Sequence, residues 1–146
     1  MRNDQLQALN VLLGDWDVTL SGAWFLDSLE IEQHGTATFA WFGDAFVVMT
    51  SVMEGEPTWD FAFGRRDATD TFHALYHDQR GVSRLFDMTF GDGRWTLTRT
   101  DPDFHQRWLA TVADGRIVGR WEASEDEGST WRKDFDLVFE RRSGSW

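Results

Sequence analysis

SRLFDMTFGDGRWTLTR, residues Ser83 to Arg99, is the stretch that decides the fold. Arg84, Phe86, Met88 and Phe90 share one face of an alternating run, and Trp95, Leu97 and Arg99 share one face of the next. Gly91-Asp92-Gly93 lies between them and supplies a hairpin turn, whose positive backbone angles glycine adopts without steric cost. Period-two alternation on both sides of a tight turn describes two antiparallel strands with one apolar and one polar face.

The same rhythm extends outward in both directions. Trp16, Val18 and Leu20 alternate with acidic and hydroxyl residues, and Phe39 and Trp41 end a strand that begins near Glu30. Gly43-Asp44 turns the chain into Phe46 to Met53. Trp59, Phe61 and Phe63 share a face, as do Phe72, Ala74 and Tyr76 after the turn at Asp67 to Asp70. Arg80-Gly81, Asp101-Pro102-Asp103 and Asp114-Gly115 mark further turns, and Pro57 fits another. Gln106, Trp108, Ala110 and Val112 form one face, then Ile117, Gly119 and Trp121. After the acidic turn Glu125 to Gly128, the pattern closes on Trp131, Phe135, Leu137 and Phe139. The tail from Arg141 to Trp146 reads as frayed.

Short strands with short connections predict an all-β, closed up-and-down antiparallel barrel of about ten strands, which leaves no unpaired edge. Asp4 to Leu13 is the one helical segment, with Leu6, Leu9 and Leu13 on one side, Asn3 or Asp4 at its start and Gly14 at its end. So short a helix needs packing to survive, and we expect it across one barrel mouth. The 146 residues make one domain, 1–146.

Composition narrows the function. Nine Trp and twelve Phe can fill a core or line a cavity. Absence of Cys removes disulfides and thiol catalysis. A formal charge of −11 opposes binding to nucleic acid or an anionic membrane. The opening residues read as neither signal peptide nor membrane span, so a cytoplasmic location is expected.

Few residues promise chemistry. His73 and His77 form H-x-x-x-H, but on a strand they lie ~13 Å apart and cannot share a zinc ion. His34 and His105 are isolated, so no metal site is expected. No nucleophile elbow or phosphate loop occurs, and Ser124 to Gly128 lacks the ligand spacing of a calcium loop. Alternation places Tyr76, Arg99 and Gln106 among aromatic residues. A buried guanidinium demands an anion, either a ligand carboxylate or a protein group such as Asp101 or Asp87. Arg99 should bury its stem and pair with an acidic side chain, with which an anionic ligand would compete. Arg80 and Arg84 flank a turn and read as partners of Asp78 and Asp87.

The opening LLGDWDVTLSG, with YHDQRGVSRLFDMTFGDGRWTLTRTDPDFHQRW and GRWEASEDEGSTWRKDFDLVFERR, resembles a group of bacterial calycin-like barrel domains without assigned chemistry. The resemblance runs from about Leu12 to Arg141. The wider superfamily holds lipocalins, fatty-acid-binding proteins and haem-binding nitrobindins. This implies a barrel and, by analogy of fold, a hydrophobic small-molecule ligand. Nitrobindin-type barrels hold haem through a histidine near the C-terminus. Here none follows His105, so no haem or other cofactor is expected.

The leading expectation is a carrier or sensor for a hydrophobic or weakly anionic small molecule. Its candidate lining is Trp16, Tyr76, Met88, Trp95, Arg99, Gln106, Trp108 and Trp121. One rival is a barrel isomerase, cyclase or hydrolase using Tyr76 or a buried Asp as acid or base. Another is a packed, ligand-free barrel that forms a homodimer or contacts another protein. A hollow interior with one anion clamp favours the carrier, a strongly perturbed carboxylate the enzyme, and a filled interior the ligand-free barrel.

Overall fold

The computed structural model describes residues 1–54 and 58–142. The turn read at Pro57 and the end of the tail fall outside the described residues. Ten strands run in chain order: β1 (Gly14–Ser21), β2 (Gln33–Phe42), β3 (Phe46–Met53), β4 (Trp59–Arg65), β5 (Phe72–Asp78), β6 (Ser83–Gly91), β7 (Arg94–Arg99), β8 (His105–Ala113), β9 (Arg116–Ser124) and β10 (Arg132–Arg141). Each pairs antiparallel with the next, and β10 closes on β1 with Val18 opposite Phe139. This is the closed up-and-down barrel that the alternation predicts. The deciding hairpin pairs Phe90 with Trp95, and both turn residues take positive φ, 53° at Asp92 and 75° at Gly93. That is the geometry whose twist matches the flanking strands. No helix among the described residues is long and apolar enough to cross a membrane.

The expected short N-terminal helix lies at one barrel mouth, with Leu12 rather than Leu13 on its buried side. It is one α-helical turn, α1 (Asp4–Gln7), followed by a 3₁₀ turn over Ala8–Leu12. Asn3 caps it by accepting from the Leu6 amide at 3.2 Å. The buried leucines are Leu6, Leu9 and Leu12. Three-residue spacing aligns them on a 3₁₀ turn, where i and i+3 eclipse. They plug the end of the barrel where β1 begins. Trp16 Nε1 donates to the Leu12 carbonyl at 2.8 Å, and Trp41 Nε1 donates to Asn10 Oδ1 at 2.9 Å.

Arg141 is also not frayed. It ends β10, its guanidinium lies 4.3 Å from the Trp16 ring, and it donates to the carbonyls of Leu13 and Val11. Those carbonyls end the 3₁₀ turn with no partner of their own in it. Arg142 adds an exposed pair with Asp17 at 2.7 Å.

The barrel waist is packed ring on ring. Phe39 sits 6.2 Å from both Phe63 and Trp95 and 6.3 Å from Phe139, and Trp95 meets Trp108 edge-on at 5.7 Å. Gly119 lets Trp108 fit, since a Cβ there would fall 2.4 Å from Trp108 Cη2. The void left in the interior is about 10 Å³. It is below the size at which apolar walls enclose an organic ligand. The indole N–H groups of Trp95 and Trp108 are buried with no acceptor among the described residues.

An irregularity between Lys133 and Phe135 shifts the register of β10 against β9. Trp131 therefore leaves the face of Phe135 and Leu137. It packs outside the barrel under the Arg107 guanidinium, 4.0 Å from its ring, beside the Arg107–Glu122 ion pair. The acidic turn before β10 is tied by its own hydroxyls. Ser124 Oγ donates to Asp126 Oδ1 at 2.7 Å, and Thr130 bonds hold the Asp126 carboxyl down at about 2.

Candidate functional site at the open mouth

The end opposite the leucine plug is open. Here β4, β6, β8 and β10 begin and β5, β7 and β9 end, around a cavity of about 350 Å³. Trp59 and Phe61 from β4, Phe86 from β6 and Trp121 from β9 form its walls and floor. Phe61 lies nearly parallel to Trp121 at 6.3 Å and tilted against Phe86 at 6.0 Å. The long β1–β2 connection adds Trp24 and Phe25, which pack edge-on together, with Phe25 edge-on to Phe135 at 5.8 Å. Trp24 Nε1 donates to Asp134. Larger, more open hollows lie elsewhere: one of about 500 Å³ on the outer face of β7 to β9, one of about 520 Å³ between the N-terminal segment and β3 to β5, and one of about 570 Å³ at the plugged end between the 3₁₀ turn and the β6–β7 and β8–β9 turns.

Polar groups converge at one side of this mouth. Tyr76 and Arg84 are direct cross-strand partners, as are Arg99 and Gln106. The Tyr76 hydroxyl donates to Asp78 Oδ2 at 2.7 Å. Arg80 donates to the same oxygen from Nη2 at 2.5 Å and from Nε at 3.0 Å, and its amide reaches Asp78 Oδ1 at 2.9 Å. The Arg80 guanidinium, with the Tyr76 hydroxyl, holds the nearly buried Asp78 well below the usual carboxylate range. Burial, and the bond to Asp78, push the Tyr76 phenol up to about 12.

Arg99 behaves as its place in the pattern predicts. It is 7% exposed. Its Nη2 lies 2.9 Å from Asp103 Oδ1, and its Nε lies 3.0 Å from Asp101 Oδ2 in ion-pair contact without hydrogen-bond alignment. Nη1 donates to the Phe104 carbonyl at 2.9 Å, and the guanidinium sits 4.5 Å from the Phe104 ring. Arg99 thus pins the β7–β8 turn and sets Phe104 into the cavity wall.

Arg84 overturns the structural pairing expected of it. Asp87 pairs with Arg66 at 2.6 Å on the outer surface, and Asp78 with Arg80. Arg84 has no carboxylate within ion-pair reach among the described residues. Its guanidinium lies 5.4 Å from the Tyr76 ring and 5.2 Å from the Phe104 ring, and Nη1 donates to Gln106 Oε1 at 3.2 Å. Burial, and then the neighbouring Arg99 and Arg80 charges acting against the pull of Tyr76 and Asp78, lower its pKa from the ordinary arginine value. A half-buried cation with one neutral acceptor keeps hydrogen-bonding capacity to spare.

The structure divides the candidate lining. Tyr76, Gln106 and Trp121 border the mouth cavity, and Arg99 supports it from behind Phe104. Trp16, Met88, Trp95 and Trp108 are buried in the packed interior instead. The sequence reading placed Arg84 on the face of Phe86 but gave it a structural ion pair instead of a place in the lining. For Trp24, Phe25 and Phe104, which sit outside the strands, alternation carries no signal. No histidine lines the cavity, so a haem iron there would find no imidazole ligand. His73 and His77 lie on the outer face of β5, opposite Phe72 and Ala74. No three His, Asp or Glu side chains among the described residues are placed to hold a metal ion.

These features define a closed ten-stranded antiparallel barrel, plugged at one end and open at an aromatic mouth. A protein of the same fold is Rv2717c from M. tuberculosis, whose crystal structure superposes with a TM-score of 0.70 over 97% of this chain and 99% of that one at 13% identity. No family model matches the chain, and no curated protein matches it in sequence.

Proposed function

We propose that this is a calycin-like binding protein, a cytoplasmic carrier or sensor that takes a hydrophobic, weakly anionic small molecule at the open mouth. The observation that carries the reading is Arg84. A guanidinium without a carboxylate partner among the described residues, set in aromatic walls around about 350 Å³, is what an apolar anion requires. Support for binding over catalysis comes from the titrating groups. Tyr76 is pushed toward its neutral form, and Asp78 is held ionised with its oxygens occupied. Neither is poised near neutrality as a general acid or base would be.

Titration with 1-anilinonaphthalene-8-sulfonate tests the reading. Saturable binding with indole N–H shifts at Trp24, Trp59 and Trp121, and none at Trp16, is expected. Absence of saturation, or shifts centred on Trp16 or Trp131, would reject the mouth as the site.

The filled waist, together with one apolar outer face, favours a second reading, self-association of a barrel with no interior ligand. Val48, Ala62, Leu75 and Leu85 are successive cross-strand partners on the outer face of β3 to β6, and Leu85 is 58% exposed. Sedimentation should then show a dimer that Leu85→Glu disrupts. A wild-type monomer at high concentration removes this reading.

A further inference from the structure

We infer that the mouth selects flat aromatic monocarboxylates and rejects extended alkyl acids, a deduction that rests on the mouth-binding reading above. Depth is the first argument. Below Phe61 and Trp121 the barrel is filled, with a void of about 10 Å³ bordered by Trp95 and Trp108. An alkyl chain has no channel to enter, so a ligand must fit within the mouth itself.

Shape is the second argument. The walls are ring faces and edges: Phe61 parallel to Trp121, Tyr76 edge-on to Phe61 at 5.4 Å, and Phe86 edge-on to Trp121 at 5.5 Å. Such surfaces favour a planar aromatic guest through offset and edge-to-face contacts, which a flexible chain does not make. A rigid guest also loses less conformational freedom on binding.

Charge is the third argument. Arg80 and Arg99 are already engaged by Asp78, Asp101 and Asp103, so among the described residues at this mouth Arg84 is the arginine with charge to offer. Its Nη1 holds the Gln106 amide oxygen, which leaves Nη2 of Arg84 and the Gln106 amide nitrogen as donors. A carboxylate can accept from both. Asp134, the carboxylate in the lining, is engaged by Trp24 and Arg132, and it repels a second negative charge on a guest. The grip therefore suits a monoanion.

Calorimetric titration with 2-naphthoate, its neutral amide 2-naphthamide and dodecanoate tests the inference. In the wild type, 2-naphthoate is expected to bind at least ~tenfold tighter than either other probe, the ratio that one charge-assisted hydrogen bond supplies. Arg84→Gln should remove that advantage while leaving 2-naphthamide within about twofold, because the aromatic walls are untouched. Arg84→Lys, which keeps the charge without the planar fork, should fall between. Arg66→Gln, on the outer surface, should change nothing. Melting temperatures of the variants near the wild type exclude loss of fold. Dodecanoate binding as tightly as 2-naphthoate overturns the inference and leaves the mouth reading standing. Equal affinity for acid and amide, or no loss in Arg84→Gln, overturns the clamp. Failure of every probe to bind overturns both readings.

Discussion

The two ends of this barrel solve the same problem in opposite ways. Each places an arginine against aromatic rings at the rim. At the plugged end Arg141 covers Trp16 and is saturated by the Leu13 and Val11 carbonyls. At the open end Arg84 lies between Tyr76 and Phe104 with one amide oxygen to hold. Three leucines fill the first end, and among the described residues a cavity of about 350 Å³ remains at the second. A cation whose hydrogen-bonding capacity is met by its own backbone is part of the fold. One left short of acceptors, in a cavity too small for a partner protein, is on the reading proposed above part of a site.

That contrast breaks most visibly at the plug. Leu12→Ala should cost about 3 kcal/mol of stability in urea unfolding, the usual cost of a core cavity, with probe affinity at the mouth preserved. Loss of binding in a variant that stays folded would show that the ends are coupled. Gly119→Ala should cost about 2 kcal/mol, because the new methyl meets the Trp108 ring at van der Waals overlap and the waist must shift. Arg141→Met should cost about 2 kcal/mol, since it strips two turn carbonyls of their donors. Arg84→Met should cost less than Arg141→Met and could stabilise. The reverse order would make Arg84 structural.

Asp78→Asn sharpens the account of the open end. The folded carboxyl lies well below its unfolded value of ~3.9, so its contribution is full above that value and is lost as pH falls through the folded one. The stability gap between wild type and variant should be constant from neutrality to about pH 5 and shrink below it. A gap that does not change in acid would remove Asp78 as the anchor of Arg80 and Tyr76. The smallest signal is spectroscopic. Tyr76 is the chain's single tyrosine, so ultraviolet titration of phenolate reads it alone. Ionisation is expected near 12 in wild type and closer to the ordinary phenol value in Asp78→Asn. Because the folded phenol holds its proton longer than the unfolded one, stability should fall as pH rises above 10.

Much of the architecture was legible in the residues. Alternation at Phe86, Met88, Trp95 and Leu97 placed inward faces correctly, and the same pleat buried Arg99. It misplaced Trp131, because a register shift at Lys133 to Phe135 reverses the faces and leaves no mark in the pattern. It placed the short N-terminal helix but put Leu13 on its buried side, where the 3₁₀ second half turns Leu12 inward. The rim arginines were assigned by nearness in sequence, pairing Arg84 with Asp78 or Asp87, whereas Arg80 and Arg66 reach those carboxylates first.

The sequence by itself determined the barrel, the turn positions and the inward set, since strand period and turn chemistry are local properties repeated along the chain. Only the tertiary structure decided that the waist is full and the mouth hollow. That depends on how rings from β2, β4, β7, β8 and β10 meet across the barrel, which no local pattern records. It also decided which arginine of the open mouth is left, among the described residues, without a carboxylate. Every rim arginine has acidic neighbours in sequence, and competition among side chains in space settles which of them are paired.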